Sequence, residues 1–350
     1  MMTLAASAQA ELVHTRADAR ARGRDAVIDT MRGVAILMVI GIHSVPQPLD
    51  LAWTKAIDAA LRPCVPIFLF ASGYLTARAG RVPLFKRLKA AVIPYTIAFI
   101  AAYLYMTLHN PAMDHRVTTT VARFALAYVF VYYYVFVYIG CTIVLWLIYA
   151  AAGTDRQDTA QRMTILLALA IGFGLVAGSY LDPLLFHLGF ADSFVEEVRM
   201  RDIPFWFSFM ALGALTASFA GATARNMRSI LVGAMLFAYL LYLAVRLSGV
   251  GDAAVYDSTA FFLYAALFSV ALLGLQPSFT LLASLGSGSY FIYLWHIFIV
   301  MLLRDHAGLR QFGSAASFAI TFGLTAMVSI AALGAVRQLS SARVARWLGA

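Results

Sequence analysis

The sequence predicts an all-α fold, a polytopic membrane helix bundle of about ten transmembrane helices. Of its 350 residues, 62% are hydrophobic and only 12% are charged. The mean hydropathy is +0.81. That leaves too little polar side chain to cover a water-soluble domain. Five tryptophans, 17 tyrosines and 25 phenylalanines suit aromatic belts at the two membrane surfaces. Charge is also sorted along the chain. With the N-terminus inside and ten crossings, the inner segments hold 17 of the 26 Lys and Arg residues but only 6 of the 17 acids. The net charge of +9 therefore reads as positive-inside topology and not as a nucleic-acid surface.

Residues 1–27 are Ala-rich and polar, with Arg16, Arg20, Arg22 and Arg24. They lack an apolar core before a cleavage site, so a cytoplasmic tail is expected and no signal peptide. Ten spans follow, near 28–46, 59–77, 90–108, 130–152, 163–182, 203–222, 229–247, 257–275, 286–303 and 315–336. They form one membrane domain over 28–337, and 338–350 is a second cytoplasmic tail. The stretch 121–152 is too long for one upright span and too short for two, so its Tyr-rich first part is expected at the outer interface or at the start of a tilted helix. Pro63 and Pro66 are placed to break the second span near its outer end. No internal repeat is visible. Cys64 and Cys141 give neither a disulfide framework nor metal spacing, and no metal site is expected.

Four stretches could carry chemistry. In Ile28–Pro46, Arg32 and His43 are eleven residues apart. That is about three helical turns, so they share a face and lie roughly 16 Å apart along it. An ionisable group that deep in a membrane is a functional candidate by default. His43 could accept a hydroxyl proton as general base, carry an acyl group, or simply donate to a neighbouring carbonyl. Asp29 and Arg32, at i and i+3, can pair, and Arg32 could hold a phosphate bidentately. In Val65–Tyr74, Ser72-Gly73 allows close helix approach. Between Arg78 and Tyr95, five basic residues including Arg87 and Lys89 precede a span and carry no acid among them. They serve as a positive-inside signal or as a dock for phosphates. In Gly286–His296, the residues Ser289, Tyr293 and His296 fall on one face, a polar stripe that points into a bundle. His296 is expected to face the cavity of His43. The acids of 182–202 (Asp182, Asp192, Glu196, Glu197 and Asp202) beside Phe205, Trp206 and Phe207 would suit carbohydrate binding, but they read first as a solvated loop followed by an aromatic belt. His14, His109, His115, His187 and His306 fall in tail or loops.

Asp29-x-x-Arg32-Gly33 with His43 eleven positions beyond Arg32, the Pro-aromatic-Ser-Gly pattern ending at Ser72-Gly73, and Ser289-Tyr290 followed by Tyr293-Leu294-Trp295-His296 resemble the membrane-bound acyltransferase-3 family. Arg87-Leu88-Lys89 with Ile93-Pro94-Tyr95 stands where many members carry Arg-x-x-Arg, and looks more like the fucose-acetylase-like branch. The resemblance covers roughly 26–336. The histidine-tryptophan-phenylalanine run of the family's fourth span is missing, and Tyr132 to Tyr138 and Trp146 stand there instead.

The resemblance implies an O-acyltransferase of the bacterial inner membrane. It would move an acetyl or other short acyl group from acyl-CoA to a hydroxyl of a cell-envelope sugar. Its implied catalytic residues are His43, Arg32 and His296. Asp29, Arg32, Arg87 and Lys89 would hold the donor, and Ser72, Ser289, Tyr290 and Tyr293 the substrate. No permanently bound cofactor is expected. The implied partners are the lipid bilayer, acyl-CoA and a carbohydrate or lipid-linked sugar. A sugar-lipid transporter or a non-catalytic subunit of polysaccharide assembly would fit the same spans.

Overall fold

The computed structural model describes residues 25–110, 112–153, 156–218, 225–249 and 256–350. Arg16, Arg20, Arg22, Arg24 and His14 of the expected tail lie outside them, as do the side chains of Arg156 and Arg225 and residues 219–222 of the expected sixth span. Among the described residues the regular structure is entirely helical. Seven helices have the length and hydropathy of a membrane span, or eight if one bent pair is taken as a single span. The fold is a polytopic membrane helix bundle.

Helix α1 spans Ala26–Ser44. Asp25 caps it, accepting from the backbone N–H groups of Val27 at 3.1 Å and Ile28 at 3.3 Å, which satisfies two of the donors a helix start leaves free. The same carboxylate pairs with Arg78 at 2.6 Å and ties the start of α1 to the far end of α3. Helices α2 (Ala52–Leu61) and α3 (Cys64–Ala79) are parted at Arg62-Pro63, where proline supplies no N–H to continue the ladder. Together they make one 28-residue span, Ala52–Ala79, which begins earlier than the sequence suggested. α4 runs Leu84–His109 with Pro94 inside it.

Residues 117–152 divide into a short helix α5 (Val117–Ala125) and a long one, α6 (Tyr133–Ala152). The link between them turns through left-handed backbone at Ala127 and Phe130, with φ of 49° and 50°. Ala127, Val129 and Tyr132 of this link are buried, so its free carbonyls need partners. They find them in side chains. Arg201 donates to Leu126 and Tyr293 to Val131, and Tyr95 donates to Phe124 in the last turn of α5.

Helices α7 (Arg156–His187), α8 (Asp192–Arg199) and α9 (Ile203–Ser218) follow. α9 is described as far as Ser218. It lies inside the bundle against α3 and α7. Phe205, Trp206 and Phe207 are almost wholly buried and are core, not the aromatic belt expected from sequence. A close backbone approach explains this placement. A Cβ on Gly73 would lie 1.9 Å from the carbonyl oxygen of Met210, and one on Gly213 would lie 2.0 Å from that of Phe70. Reciprocal glycines let the two backbones touch.

Helices α10 (Arg225–Ser248) and α11 (Thr259–Leu275) pair at the periphery. The stretch read as one span from 286 is two helices, α12 (Thr280–Ser287) and α13 (Ser289–His306), bent by 80°. α12 lies across the start of α1. Gly286 comes against the Asp29 carbonyl and Gly33 against that of Leu282, with Cβ positions 1.8 Å and 2.0 Å away. That contact gives a steric reason for glycine in Arg32-Gly33 and in Gly286-Ser287. A 3₁₀ turn (Leu309–Phe312) leads to α14 (Ser314–Leu339). The C-terminal segment 338–350 is not an extended tail. Its α15 (Ala342–Leu348) docks on α4, and the Leu348 carbonyl accepts from Trp295 at 3.3 Å.

Candidate active site

Two cavities enter the bundle from opposite ends of α1. The first, about 310 Å³, is lined by His43, Arg62, Cys64, Tyr133, Glu196, Arg199, Tyr256, Tyr293 and Arg304 among others. The second, about 380 Å³, is lined by Arg32, Phe68, Lys86, Arg87, Tyr134, Tyr138, Ser289, Tyr290 and Tyr293 among others. The first opens past exposed Gln47, Glu196 and Arg304, the second past exposed Pro83, Lys86 and Ala90. We call them the histidine cavity and the arginine cavity.

His43 stands in the last turn of α1 and keeps partial exposure to its cavity. Its ring centroid is 5.4 Å from that of His296. His296 itself is fully buried and lines neither cavity. His296, expected from the sequence to face the cavity of His43, instead stands behind the His43 ring. The Nδ1 of His296 is 3.0 Å from the Ile292 carbonyl oxygen and 2.9 Å from that of Tyr293. A carbonyl only accepts, so Nδ1 carries the hydrogen and Nε2 is left with a lone pair. Among the described residues Nε2 has no partner.

Beside aliphatic Val39, Ile42, Val45 and Val65, the histidine-cavity wall carries charged and aromatic side chains held by buried partners. Asp58, with no exposed surface, accepts from Arg62 at 3.1 Å and 2.5 Å and from Arg246 at 2.6 Å. Arg62 also donates to the Tyr256 hydroxyl at 2.6 Å and lies over that ring. Arg199 pairs with Asp182 and, at 3.3 Å, with Asp257. Arg304 reaches the His43 carbonyl at 3.3 Å. Asp182 and Asp202 are buried, so they do not belong to the solvated loop expected over 182–202. Glu196 lies on the short helix α8, on the cavity wall. Sequence reasoning missed Arg62, Arg199, Tyr256 and Arg304, which come from four separate parts of the chain, two of them between helices, with no spacing to connect them.

The arginine cavity is cationic. Arg32 pairs with Asp29 at 4.0 Å, and its Nε is buried without a hydrogen-bond partner among the described residues. Arg87 Nη1 is in the same position. Lys86, one of the five basic residues between Arg78 and Tyr95, lines the wall, whereas Lys89 is exposed and does not. Buried N–H groups on a cationic wall are where the oxygens of an anion would bond. Ser289, Tyr290 and Tyr293 sit on this wall. Ser72 lines neither cavity; its carbonyl accepts from Thr76 at 2.6 Å, and the neighbouring Gly73 forms the contact with α9.

The fold thus brings a histidine-bearing cavity and a cationic cavity back to back inside a membrane helix bundle. The family model described as an acyltransferase domain, of the acyltransferase-3 type, matches residues 25–334. The chain belongs to that family, and it is a membrane acyltransferase. No curated protein and no solved structure matches it.

Proposed function

We propose that the protein transfers a short acyl group, acetyl by preference, from acyl-CoA to a hydroxyl of a cell-envelope sugar. The observation that carries this reading is the pair of cavities with opposite chemistry. The arginine cavity offers Arg32, Lys86 and Arg87 to an anionic donor, and coenzyme A carries several phosphates. The histidine cavity offers Arg62, Arg199, Glu196 and Gln47 with the rings of Phe130, Tyr133 and Tyr256. Hydrogen-bonding groups beside aromatic faces suit a sugar, whose ring carries hydroxyls at its edge and C–H groups on its faces. Arg87-Leu88-Lys89 and Ile93-Pro94-Tyr95 support the fucose-acetylase-like branch. The basic ends of the spans support placing the arginine cavity on the cytoplasmic side of a bacterial inner membrane.

In the transfer, His43 takes the proton of the acceptor hydroxyl as its oxygen attacks the thioester carbonyl. The C–S bond breaks, the ester C–O bond forms, and the thiolate leaves and takes up a proton as free coenzyme A. His296 is a positioning residue, with its Nε2 lone pair beside the His43 ring.

The test is base-labile ester on envelope polysaccharide. A deletion strain carrying the wild-type protein is compared with one carrying His43→Ala at equal membrane abundance. Ester with wild type and a loss of at least a hundredfold with His43→Ala is the expected result. Equal ester in both would remove His43 from the mechanism. No change of ester on deletion would favour a transporter of sugar-linked lipid.

A further inference from the structure

Among the described residues, Tyr293 is the one side chain on the walls of both cavities. It does not stand alone. Its ring is 5.4 Å from that of Tyr134, edge to face, and Tyr134 is 5.9 Å from Phe68. These three rings, from α13, α6 and α3, form one aromatic layer. Val65 and Tyr133, immediately beyond the layer, line the histidine cavity, while Phe68 and Tyr134 line the arginine cavity. Phe68 and Tyr134 thus close the arginine cavity, and Tyr293 is the part of this layer that both cavities reach.

The Tyr293 hydroxyl donates to the Val131 carbonyl at 2.6 Å. Val131 is in the irregular link between α5 and α6 and also lines the histidine cavity. The bond that holds the ring across the passage thus ends on non-helical backbone beside the cavity. Breaking it costs little if a substrate hydroxyl or a water takes over that carbonyl. Arg32 and His43 are roughly 16 Å apart along α1, so a donor anchored at Arg32 must extend past this layer to reach His43.

We propose that Tyr293 is the gate between donor and acceptor cavities. Its ring closes the passage, and its release from Val131 opens the path by which the acyl end of the donor meets His43. The proposal rests on the donor and acceptor assignment above, but the barrier itself can be read without any transfer.

The experiment measures access across the layer. Phe130, on the histidine-cavity wall, is replaced by Cys in the full-length protein with Cys64→Ser and Cys141→Ser, in vesicles of determined orientation. A small, charged, membrane-impermeant thiosulfonate is supplied only on the face bearing Lys86. With Tyr293 intact, Cys at 130 stays protected. Tyr293→Ala is expected to raise its labelling rate at least tenfold, and Tyr293→Phe, which keeps the ring and loses the bond, to raise it less. Tyr293→Leu replaces the Ala variant if that does not fold. Labelling that is fast with Tyr293 intact, or equally slow in every folded variant, would overturn the gate. Acyl-CoA breakdown without acceptor gives a second readout. The opened variants should hydrolyse the thioester, water supplying the oxygen, several-fold faster than wild type. Failure of the acyltransferase reading would abolish that hydrolysis in every form and leave the labelling result standing, so the two failures are distinguishable.

Discussion

His296 Nδ1 is held by the carbonyls of Ile292 and Tyr293 on its own helix. That fixes which nitrogen is free and turns it toward the interior, while His43 a ring away keeps the access to the cavity. Residue-scale chemistry of another kind occurs at Asp202, ahead of α9. Its Oδ1 accepts from the Phe205 N–H at 3.3 Å, while Oδ2 is buried without a partner among the described residues. Burial, and then the nearby Asp182 carboxylate, push the Asp202 carboxyl up to about 6. A carboxyl raised in the folded state favours the protonated form. Its folded state therefore loses stability as pH climbs from the usual ~4 of a free aspartate through about 6. Asp202→Asn keeps the cap and removes the charge. We expect thermal unfolding in detergent to show the variant more stable than wild type at pH 7–8, with the gap closing near pH 4. An equal gap at both pH values would contradict this.

At the scale of elements, the contact between α3 and α9 holds both cavities in register, because α3 carries Val65 of one wall and Phe68 of the other. Gly213→Ala would place a methyl 2.0 Å from the Phe70 carbonyl oxygen, which the backbone can relieve only by separating the helices. A loss of about 3 kcal/mol is expected, read as a lower unfolding temperature and lower yield. Gly172→Ala on α7, with nothing within 4 Å of the new methyl, is the control and should be neutral or slightly stabilising. This scale is also where the sequence was least informative. The period of 3.6 put Arg32 and His43 on one face, and it put Ser289 and Tyr293 on one face, because those pairs lie within single helices. It did not reveal that Gly288 ends a helix, since the run from 280 to 303 holds no proline, acid, Lys or Arg and an 80° bend needs tertiary contacts to show itself. Nor did it place Phe205–Phe207. Acids next to aromatics have the composition of an interface, and only enclosure by α3 and α7 makes them core. Arg62 was not picked out at all, since nothing in the chain order indicates that Asp58 and Tyr256 converge on it or that Arg246 shares its carboxylate.

For the whole molecule, burial is graded from the centre outward. In α1 and the α2–α3 span 61% and 72% of the apolar window is buried, against 17% in α7 and 11% in α10. The inner helices carry the site, and the outer ones present Phe173, Val176, Phe237 and Leu240 outward. The two-cavity arrangement predicts sidedness. Arg87→Ala should raise the KM for acyl-CoA about tenfold, as expected for the loss of a charge-assisted bond, with little change for the acceptor. Salt raised only on the face bearing Lys86 should act in the same direction. An equal response to salt on either face would mean that the donor is not bound where the cationic wall lies.

The shared aromatic wall at Tyr293 also bears on energetics across the membrane. On the proposed reading, the two reactants never occupy the same compartment, and neither has to be carried over the bilayer. Spent coenzyme leaves through the opening by which it arrived. The driving force is then set by the ratio of acyl-CoA to free coenzyme on one side alone, while the other side contributes only hydroxyl groups. A compartment with no supply of activated acyl groups could in this way have its polymers esterified at the expense of a pool that it never contacts.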